Sequence, residues 1–387
     1  MNVPTRFPSF IGHMAPERRL NPTLGMLTSF PPTPCGLATF SAGLANGLST
    51  NGSDVGVIRV ADGAEPTSKA VIGEFVNGSS ASVSASVELL NQRDVAVIQH
   101  DYDVFGAEIL DVVEDLRVPT IVVAHKVLKH PTPQQRSAME TLVAKADRVV
   151  VMSRAANERL CADYAVDPGK VVTIQRGATL PTVAPLKRSG RPTLLTWGLM
   201  GPGKGVERVI DAMGGLKDLR GQPRYLVAGA THPNVLAAEG EAYRESCVER
   251  ARAAGVATAV SFDSIYRSTA SLSALIQTSA AVVLPYDSTD QANSGVLVDA
   301  LAAGRPVVAT AFPHAVELLG SGAGIVVDHD DPEALATALR RMLTDPRMTG
   351  DMAAEARRLA PSMGWPVAAT AYLALARRVV ADRAAMV

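Results

Sequence analysis

A glycine-rich segment in the second half of the chain is the first that its residue types single out for chemistry. Residues 198–205 read Gly-Leu-Met-Gly-Pro-Gly-Lys-Gly and lie between a predicted strand and a predicted helix. Amides at a helix start, together with the Lys204 ammonium, are suited to bind a diphosphate. The segment nearly matches a P-loop, but Gly205 stands where that motif needs Ser or Thr to bind magnesium, so an ATPase site is excluded. The alternative is an ordinary turn with a solvated lysine.

A polar segment over residues 285–310 carries the second set of candidates. Ser294 and Gly295 are predicted to open a helix whose first amides would face a bound anion. Asp299, one turn further on and eight positions after Gln291, has a carboxylate that can accept hydrogen bonds from two vicinal hydroxyls, as in ribose. The alternative is that Asp299 is a solvated helix position.

Two histidines follow predicted strands in the first half. His125 ends an apolar strand, where a histidine is more often a hydrogen-bonded core residue than a catalyst. His100 ends another strand and is followed by Asp101 and Asp103. One Asp-x-Asp triplet is weak evidence for a metal, because no further acidic residue nearby completes a shell. We therefore expect neither a metal nor a cofactor, and we assign no chemistry to the charged loop at 328–331.

The elements that position these residues form an α/β protein. Short β-branched runs alternate with helical stretches almost throughout, which predicts parallel sheets covered on both faces. Two such sheets follow in series. The strands of the first are predicted at 24–30, 54–60, 94–99, 120–125, 148–153 and 170–174. Those of the second are predicted at 193–198, 225–229, 259–262, 281–285, 306–310 and 324–327.

A segment with three prolines over residues 181–192 separates the two sets and is predicted to be a linker. We divide the chain into an N-terminal domain over 1–182, opened by a loosely held arm, and a C-terminal domain over 193–365. The last residues, 366–387, are predicted to form a helix that packs back on the N-terminal domain.

Ligands of open parallel sheets bind outside the carboxyl ends of the strands. The candidate residues all fall there, so the cleft between the two domains is the expected site. They are Gly36, His100, His125, the segment 198–204 and the segment 291–295.

Composition excludes several classes of protein. Hydrophobic residues make up 47 % of the 387, yet no run approaches the ~20 apolar residues that span a bilayer. The start of the chain lacks the apolar stretch of a secretory signal. Three scattered cysteines argue against disulfides and zinc, so a cytoplasmic location is expected. A net charge of −1 gives no basic surface for nucleic acid.

Taken together, the motifs resemble those of the family 4 glycosyltransferases of GT-B architecture, in which two Rossmann-like domains face each other across a cleft. The resemblance covers nearly the whole chain, and its most specific part is QANSGVLVDALAAGRPVVAT at 291–310, which resembles the family's Glu-x7-Glu segment. The phosphate-binding loop resembles GLMGPGKG. Three N-terminal loops resemble FPPTPCGLATFSAGLANGL, IQHDYDVFG and VVAHKVLKHPTP.

The resemblance implies a role for each matching residue. Lys204 would contact the donor diphosphate, Asp299 the ribose, and His125 the transferred sugar, with Gln291 beside it as a second catalytic residue. The other donor-binding positions are Gly36, Gly198, Gly229, Ser294 and Gly295, and the acceptor side would be lined by His100 and Asp101.

Three positions depart from the family's pattern. Gln291 replaces the first acid of Glu-x7-Glu, the second is shortened to Asp299, and the arginine that usually precedes the loop lysine is replaced around Leu199. A neutral Gln291 cannot stabilise an oxocarbenium-like centre by charge, so the leaving phosphate would assist the incoming hydroxyl. Asp290 is an alternative carboxylate.

The resemblance implies retaining transfer of a hexose from a nucleotide-diphosphate sugar to a saccharide or glycoconjugate. GDP-mannose is the first expectation for the donor and UDP-glucose the second. Two alternatives stay open: a sugar-nucleotide epimerase on the same architecture, and a non-catalytic homologue that binds sugar nucleotides. A nicotinamide dehydrogenase is disfavoured, because no Gly-x-Gly-x-x-Gly follows the first strand. The oligomeric state is not encoded in any of these patterns.

Overall fold

The computed structural model describes residues 21–182 and 190–385. Within them the first sheet has seven parallel strands in the order β3-β2-β1-β4-β5-β6-β7. Its strands are β1 (Leu24–Thr28), β2 (Val55–Val60), β3 (Val71–Phe75), β4 (Val95–His100), β5 (Thr120–Ala124), β6 (Arg148–Val151) and β7 (Val171–Thr173). The helices that cover it are α1 (Gly36–Thr50), α2 (Ser80–Asn91), α3 (Ile109–Asp115), α4 (Pro133–Lys145) and α5 (Arg154–Asp163).

The second sheet has six parallel strands, again counted over the described residues, in the order β10-β9-β8-β11-β12-β13. They are β8 (Thr193–Trp197), β9 (Arg224–Ala228), β10 (Val260–Asp263), β11 (Ala281–Leu284), β12 (Val307–Thr310) and β13 (Gly324–Val327). The helices around it are α6 (Val206–Gly214), α7 (Pro233–Glu239), α8 (Ala242–Ala253), α9 (Thr269–Thr278), α10 (Gly295–Ala302), α11 (Pro313–Leu319), α12 (Pro332–Thr344) and α13 (Pro346–Leu359). The predicted α/β class with two parallel sheets is confirmed.

Burial explains which strands the sequence pattern could find. β1, β4 and β5 are buried at every position, as expected for strands covered by helices on both faces. β3 was not predicted, because this edge strand is mostly half-exposed and carries Gly73 and Glu74 in place of a continuous apolar run.

The chain returns to the first sheet through its last helix, α14 (Trp365–Ala384). α14 packs on α1, where Ala369 lies so close to Gly47 that a Cβ on the glycine would be 2.9 Å from the alanine Cβ. Beside this contact, the segment that follows β7 is hydrogen-bonded to the segment that precedes α14. The Ala178 amide donates to Met363 O at 2.7 Å, and the Trp365 amide donates to Ala178 O at 3.2 Å. This pair of hydrogen bonds is one of several contacts between the two halves.

Some predicted features fall outside the described part of the chain. The predicted N-terminal arm, apart from Asn21, and residues 183–189 of the predicted linker lie there. Among the described residues, no helix combines the length and apolar character that crossing a bilayer requires.

Candidate active site

Both sheets reverse their strand order at one point, and several of the candidate residues lie in the loops at those points. In the first sheet β1 and β4 are neighbours, and the loops that follow them lead to Gly36 and Asp101. In the second sheet β8 and β11 are neighbours, and their following loops contain Lys204 and Gln291. Helix N-termini and loop amides converge at such switch points, which is where open α/β sheets bind ligands.

The glycine-rich loop after β8 takes its shape from close backbone contacts. Gly205 has φ +63°, and a Cβ there would lie 1.8 Å from Pro285 O, so Ser or Thr cannot occupy the position. This is the physical reason for the departure from a P-loop. The ammonium of the preceding Lys204 lies 4.8 Å from the ring centroid of Tyr286. Burial, and secondarily Lys126, lowers the pKa of Lys204.

Helix α10 presents its N-terminus to the same space. Ser294 is its N-cap, and the serine side chain accepts a hydrogen bond from the Leu297 amide at 3.3 Å. The Ser294 amide itself donates to Nδ1 of the buried His314 at 2.8 Å, so that amide already has a partner. Gly295 is then the first helical residue whose backbone faces the cleft.

Asp299 is carried by the same helix, is half-buried, and lies close enough to Arg176 to feel its charge. Burial raises its pKa to about 6, against an opposing effect of the positive charge of Arg176. Asp299 lines a cavity of the cleft together with Lys204 and Gly295, which favours a ligand-binding role over a solvated helix position.

One cavity, of about 370 Å³, collects most of the predicted donor-binding residues, and we name it the Asp299 cavity. The predicted residues that line it are Gly36, Gly198, Lys204, Gly229, Gly295 and Asp299. Gly229 supports the wall directly, since a Cβ on it would lie 1.9 Å from Gly198 O. Tyr266 reaches the first domain from this wall, with its hydroxyl 3.3 Å from Thr39 Oγ1.

A second cavity, of about 400 Å³, adjoins the first, and we name it the His125 cavity. The predicted residues that line it are Gly36, Asp101, His125, Asp290 and Gln291. Residues of both sheets therefore face one another here. The assigned roles stay predictions, but the residues are brought together as a two-part cleft site requires.

His125 is held in one defined tautomer. Its Nε2 lies 2.6 Å from Gln99 Oε1, an oxygen that can only accept, so Nε2 carries the proton and Nδ1 is an acceptor. Burial, then the charge of Arg176, lowers the pKa of His125 well below its ordinary value, which keeps the ring neutral. The ring packs edge-on against Phe40 at 4.8 Å. A neutral, fixed acceptor is suited to orient a sugar hydroxyl.

Gln291 and its neighbour Asp290 line the same cavity with different polar groups. The Gln291 amide donates to Asn293 O at 3.1 Å, which leaves its oxygen as an acceptor. Asp290 accepts a hydrogen bond from Ser288 Oγ at 2.8 Å. Arg159 connects this loop to the first domain by donating to Asp290 O at 2.6 Å.

His100 does not line either cavity. It is buried, its ring lies edge-on to Tyr102 at 4.7 Å, and within the described part of the chain neither ring nitrogen has a hydrogen-bond partner. Asp101 does face the His125 cavity, where it pairs with Lys126 at 3.0 Å. Asp101 and Asp103 raise the pKa of Lys126 despite the lowering effect of burial. This part of the acceptor side is thus a carboxylate–ammonium cluster.

The sequence interpretation missed one functional candidate, Arg176. It follows β7, is 9 % exposed, and lines both cavities, although its position shows no motif that singles it out. No cluster of three or more His, Cys, Asp or Glu side chains suited to a metal occurs in the described ranges.

Comparison with known proteins identifies the class. The sheets match solved structures of GT-B glycosyltransferases: sucrose-phosphate synthase from Thermosynechococcus elongatus has a TM-score of 0.76 at 17 % identity, covering 93 % of this chain and all of that one. Anabaena Alr3699/HepE in complex with UDP and glucose has a TM-score of 0.71 at 18 % identity, covering 91 % of this chain and 98 % of that one. The protein therefore has the GT-B architecture.

The family follows from the sequence comparisons. The model of glycosyl transferases group 1 matches residues 183–359, and that of glycosyltransferase family 4 matches residues 34–180. The chain belongs to glycosyltransferase family 4. The D-inositol 3-phosphate glycosyltransferase of Kineococcus radiotolerans is 33 % identical over 66 % of this chain, and that of Rhodococcus opacus is 28 % identical over 61 %. These alignments span 62 % and 54 % of the two relatives' own lengths.

Proposed function

We propose that the protein transfers a hexose from a nucleotide-diphosphate sugar to a hydroxyl acceptor with retention of anomeric configuration. The observation that carries this proposal is the Asp299 cavity: one ammonium, one helix N-terminus and one half-buried carboxylate line it at the switch point of the second sheet. Lys204 and the α10 amides suit the diphosphate, and Asp299 suits the ribose hydroxyls. Family membership supports the reaction type.

The reaction would place the transferred sugar where the two cavities meet. The bond between the anomeric carbon and the diphosphate oxygen breaks with its electron pair going to phosphate, and the acceptor hydroxyl bonds to the same face of that carbon. The hydroxyl proton passes to the leaving phosphate, which gains the electron pair; Gln291 has no basic group to take it, and the Asp290 carboxylate in the same cavity is the alternative acceptor. His125 would orient a sugar hydroxyl through Nδ1, and Lys204 would stabilise the departing charge.

The donor that we favour contains uridine. The Anabaena structures contain UDP or UDP-glucose, which favours a UDP-sugar over the GDP-mannose expected from sequence resemblance. The curated relatives are named for D-inositol 3-phosphate, so a phosphorylated polyol is the acceptor to test first beside saccharides. Calorimetry with UDP and GDP, followed by transfer assays with UDP-glucose and GDP-mannose, decides between the two donors.

Replacing Lys204 tests the assignment of the diphosphate site. Lys204→Ala should weaken binding of the preferred nucleoside diphosphate by about 10- to 100-fold, because a charge-assisted contact in a desolvated cleft is worth ~1.5 to 3 kcal/mol. Calorimetry measures this loss. The matched control is Lys217→Ala, which removes an exposed lysine of the same domain that donates to Ala254 O at 2.9 Å.

An unchanged nucleotide affinity in Lys204→Ala would exclude a diphosphate contact for this residue.

Turnover assays distinguish the proposed transferase from the two alternative functions. Conversion of a sugar nucleotide without any acceptor would favour an epimerase, whereas binding without turnover on any acceptor would favour a non-catalytic homologue.

A further inference from the structure

Arg176 is a buried cation with an unpaired hydrogen-bond donor. Only 9 % of its surface is exposed, and its Nε has no hydrogen-bond partner among the described residues. The guanidinium stacks over Phe40, with Cζ 5.3 Å from the ring centroid. A guanidinium has five N–H donors, and leaving one buried and unpaired costs free energy. A side chain with only a packing role does not need this arrangement.

The guanidinium lies against the N-terminus of α10. A Cβ built on Gly295, the first residue of that helix, would be 2.7 Å from Arg176 Cζ. A helix N-terminus carries partial positive charge, so a cation beside it is disfavoured unless an anion offsets both. The absence of a side chain at Gly295 is what allows the guanidinium this close, and it leaves the helix amides open to the same anion.

Asp299 provides part of that compensation. Burial lowers the pKa of Arg176, and the Asp299 carboxylate is the nearby charge that opposes this effect most strongly. Yet Nε donates to no acceptor in residues 21–182 and 190–385, so Asp299 does not use all the donors of the guanidinium. Arg176 also lines the junction of the two cavities, which it shares with Gly36.

We infer that Arg176 binds the diphosphate of the nucleotide donor from the N-terminal domain, across the cleft from Lys204. This inference rests on the proposed function and extends it to a residue for which neither motif nor comparison provides a role. The loop at 198–205 carries one cation, and Arg176 supplies a second from the opposite domain. The diphosphate is then held by both domains when the cleft is closed, and its departing charge is stabilised from two sides.

The test uses UDP, UMP and uridine with the full-length protein, or the guanine series if the wild type prefers GDP. Arg176→Met should weaken UDP binding by about 10- to 100-fold, on the scale of one charge-assisted contact, and UMP binding by less. Uridine binding should not change, because uridine has no phosphate. Arg176→Lys keeps the charge and should lie between the wild type and Arg176→Met. The control is Arg250→Met, which removes an arginine of α8 that pairs with Asp211 of α6 at 2.6 Å. This variant should bind UDP normally.

Two results would overturn the inference. Equal UDP affinity in wild type and Arg176→Met excludes a diphosphate contact, and parallel loss of uridine and UDP means that Arg176 only maintains Asp299 or the local fold. Arg176→Lys is the control for loss of the local fold, since a lysine keeps the buried positive charge beside Asp299. A wild type that binds no nucleoside diphosphate would instead contradict the proposed function itself.

Discussion

Burial controls the protonation of three histidines around the cleft. It lowers the pKa of His100 and of His314 to about 4, and that of His125 well below its ordinary value. A neutral ring leaves Nδ1 of His125 able to accept a hydrogen bond, and Nδ1 of His314 accepts one from the Ser294 amide. The same desolvation makes the folded protein sensitive to acid.

His100 allows this sensitivity to be tested. In the unfolded chain His100 binds a proton below pH ~6.5, whereas in the folded protein its pKa is lowered to about 4. The stability that neutral His100 contributes is therefore fully present above pH ~6.5 and is lost as the pH falls toward 4. Nearby charges act in both directions, Asp101 raising the pKa and Lys126 lowering it. His100→Phe keeps a ring against Tyr102 and removes the titration.

Between about pH 7.5 and about pH 5 the wild type should lose ~2 kcal/mol more unfolding free energy than His100→Phe, from the difference in bound protons. Urea unfolding at the two pH values measures it. His130→Phe, an exposed histidine five residues after His125, is the control and should follow the wild type. Identical pH dependence in wild type and His100→Phe would show that His100 is hydrated in the folded protein.

Residue types and spacing were sufficient to select Lys204, Asp299 and His125 as candidates, because each lies at or after the carboxyl end of a predicted strand, and all three line the two cavities. They did not reveal Arg176, since its importance depends on which elements meet in three dimensions. Nor did they reveal that His100 is buried: a histidine at the end of a buried strand can face either the cleft or the helices, and the sequence does not specify which.

At the level of elements, the loop between β8 and α6 contains three glycines with positive φ, and two of them, Gly203 and Gly205, have different surroundings. Gly205 has φ +63° and its missing Cβ would clash with Pro285 O, whereas Gly203 has φ +86° and open space around it. An alanine at either position is strained by its backbone angle, at roughly 1 kcal/mol. Of these two positions, only Gly205 would also bring its added Cβ against a backbone atom, Pro285 O.

Gly205→Ala should therefore destabilise the protein by at least ~2 kcal/mol more than Gly203→Ala, because the loop must move away from Pro285. It should also weaken nucleoside diphosphate binding through displacement of Lys204. Urea unfolding and calorimetry on the two variants provide the comparison. Equal losses of stability would mean that backbone angle alone sets the cost and that the contact with Pro285 is easily relieved.

At the scale of the whole molecule, the sequence predicted two sheets in series and a cleft between them, because buried parallel strands leave strong apolar runs. It did not predict how the domains contact each other. Those contacts are made by single polar groups: Ser153 Oγ donates to Ala292 O at 2.5 Å, and Glu317 of α11 accepts from the amides of Arg154 and Ala155 at 3.0 Å each. No local sequence pattern indicates such hydrogen-bonded pairs between the domains.

Glu317 makes a contact between the domains and lines neither cavity, so replacing it can weaken domain closure without changing the cavity walls. Its carboxylate caps the N-terminus of α5 from the opposite domain, where the helix dipole favours negative charge. If these two bonds exist only in the closed arrangement, their loss shifts the balance toward open forms by about 10- to 100-fold, since charge-assisted bonds contribute ~1.5 to 3 kcal/mol.

Small-angle scattering should then show a larger radius of gyration for Glu317→Ala than for the wild type, and saturating nucleoside diphosphate should reverse the increase by holding both domains. Glu158→Ala is the matched control, because Glu158 lies on α5 itself and pairs only locally with Arg154 at 3.8 Å. Its scattering should match that of the wild type. A radius of gyration unchanged in Glu317→Ala would show that the remaining contacts, among them Ser153 with Ala292, hold the cleft closed without the cap.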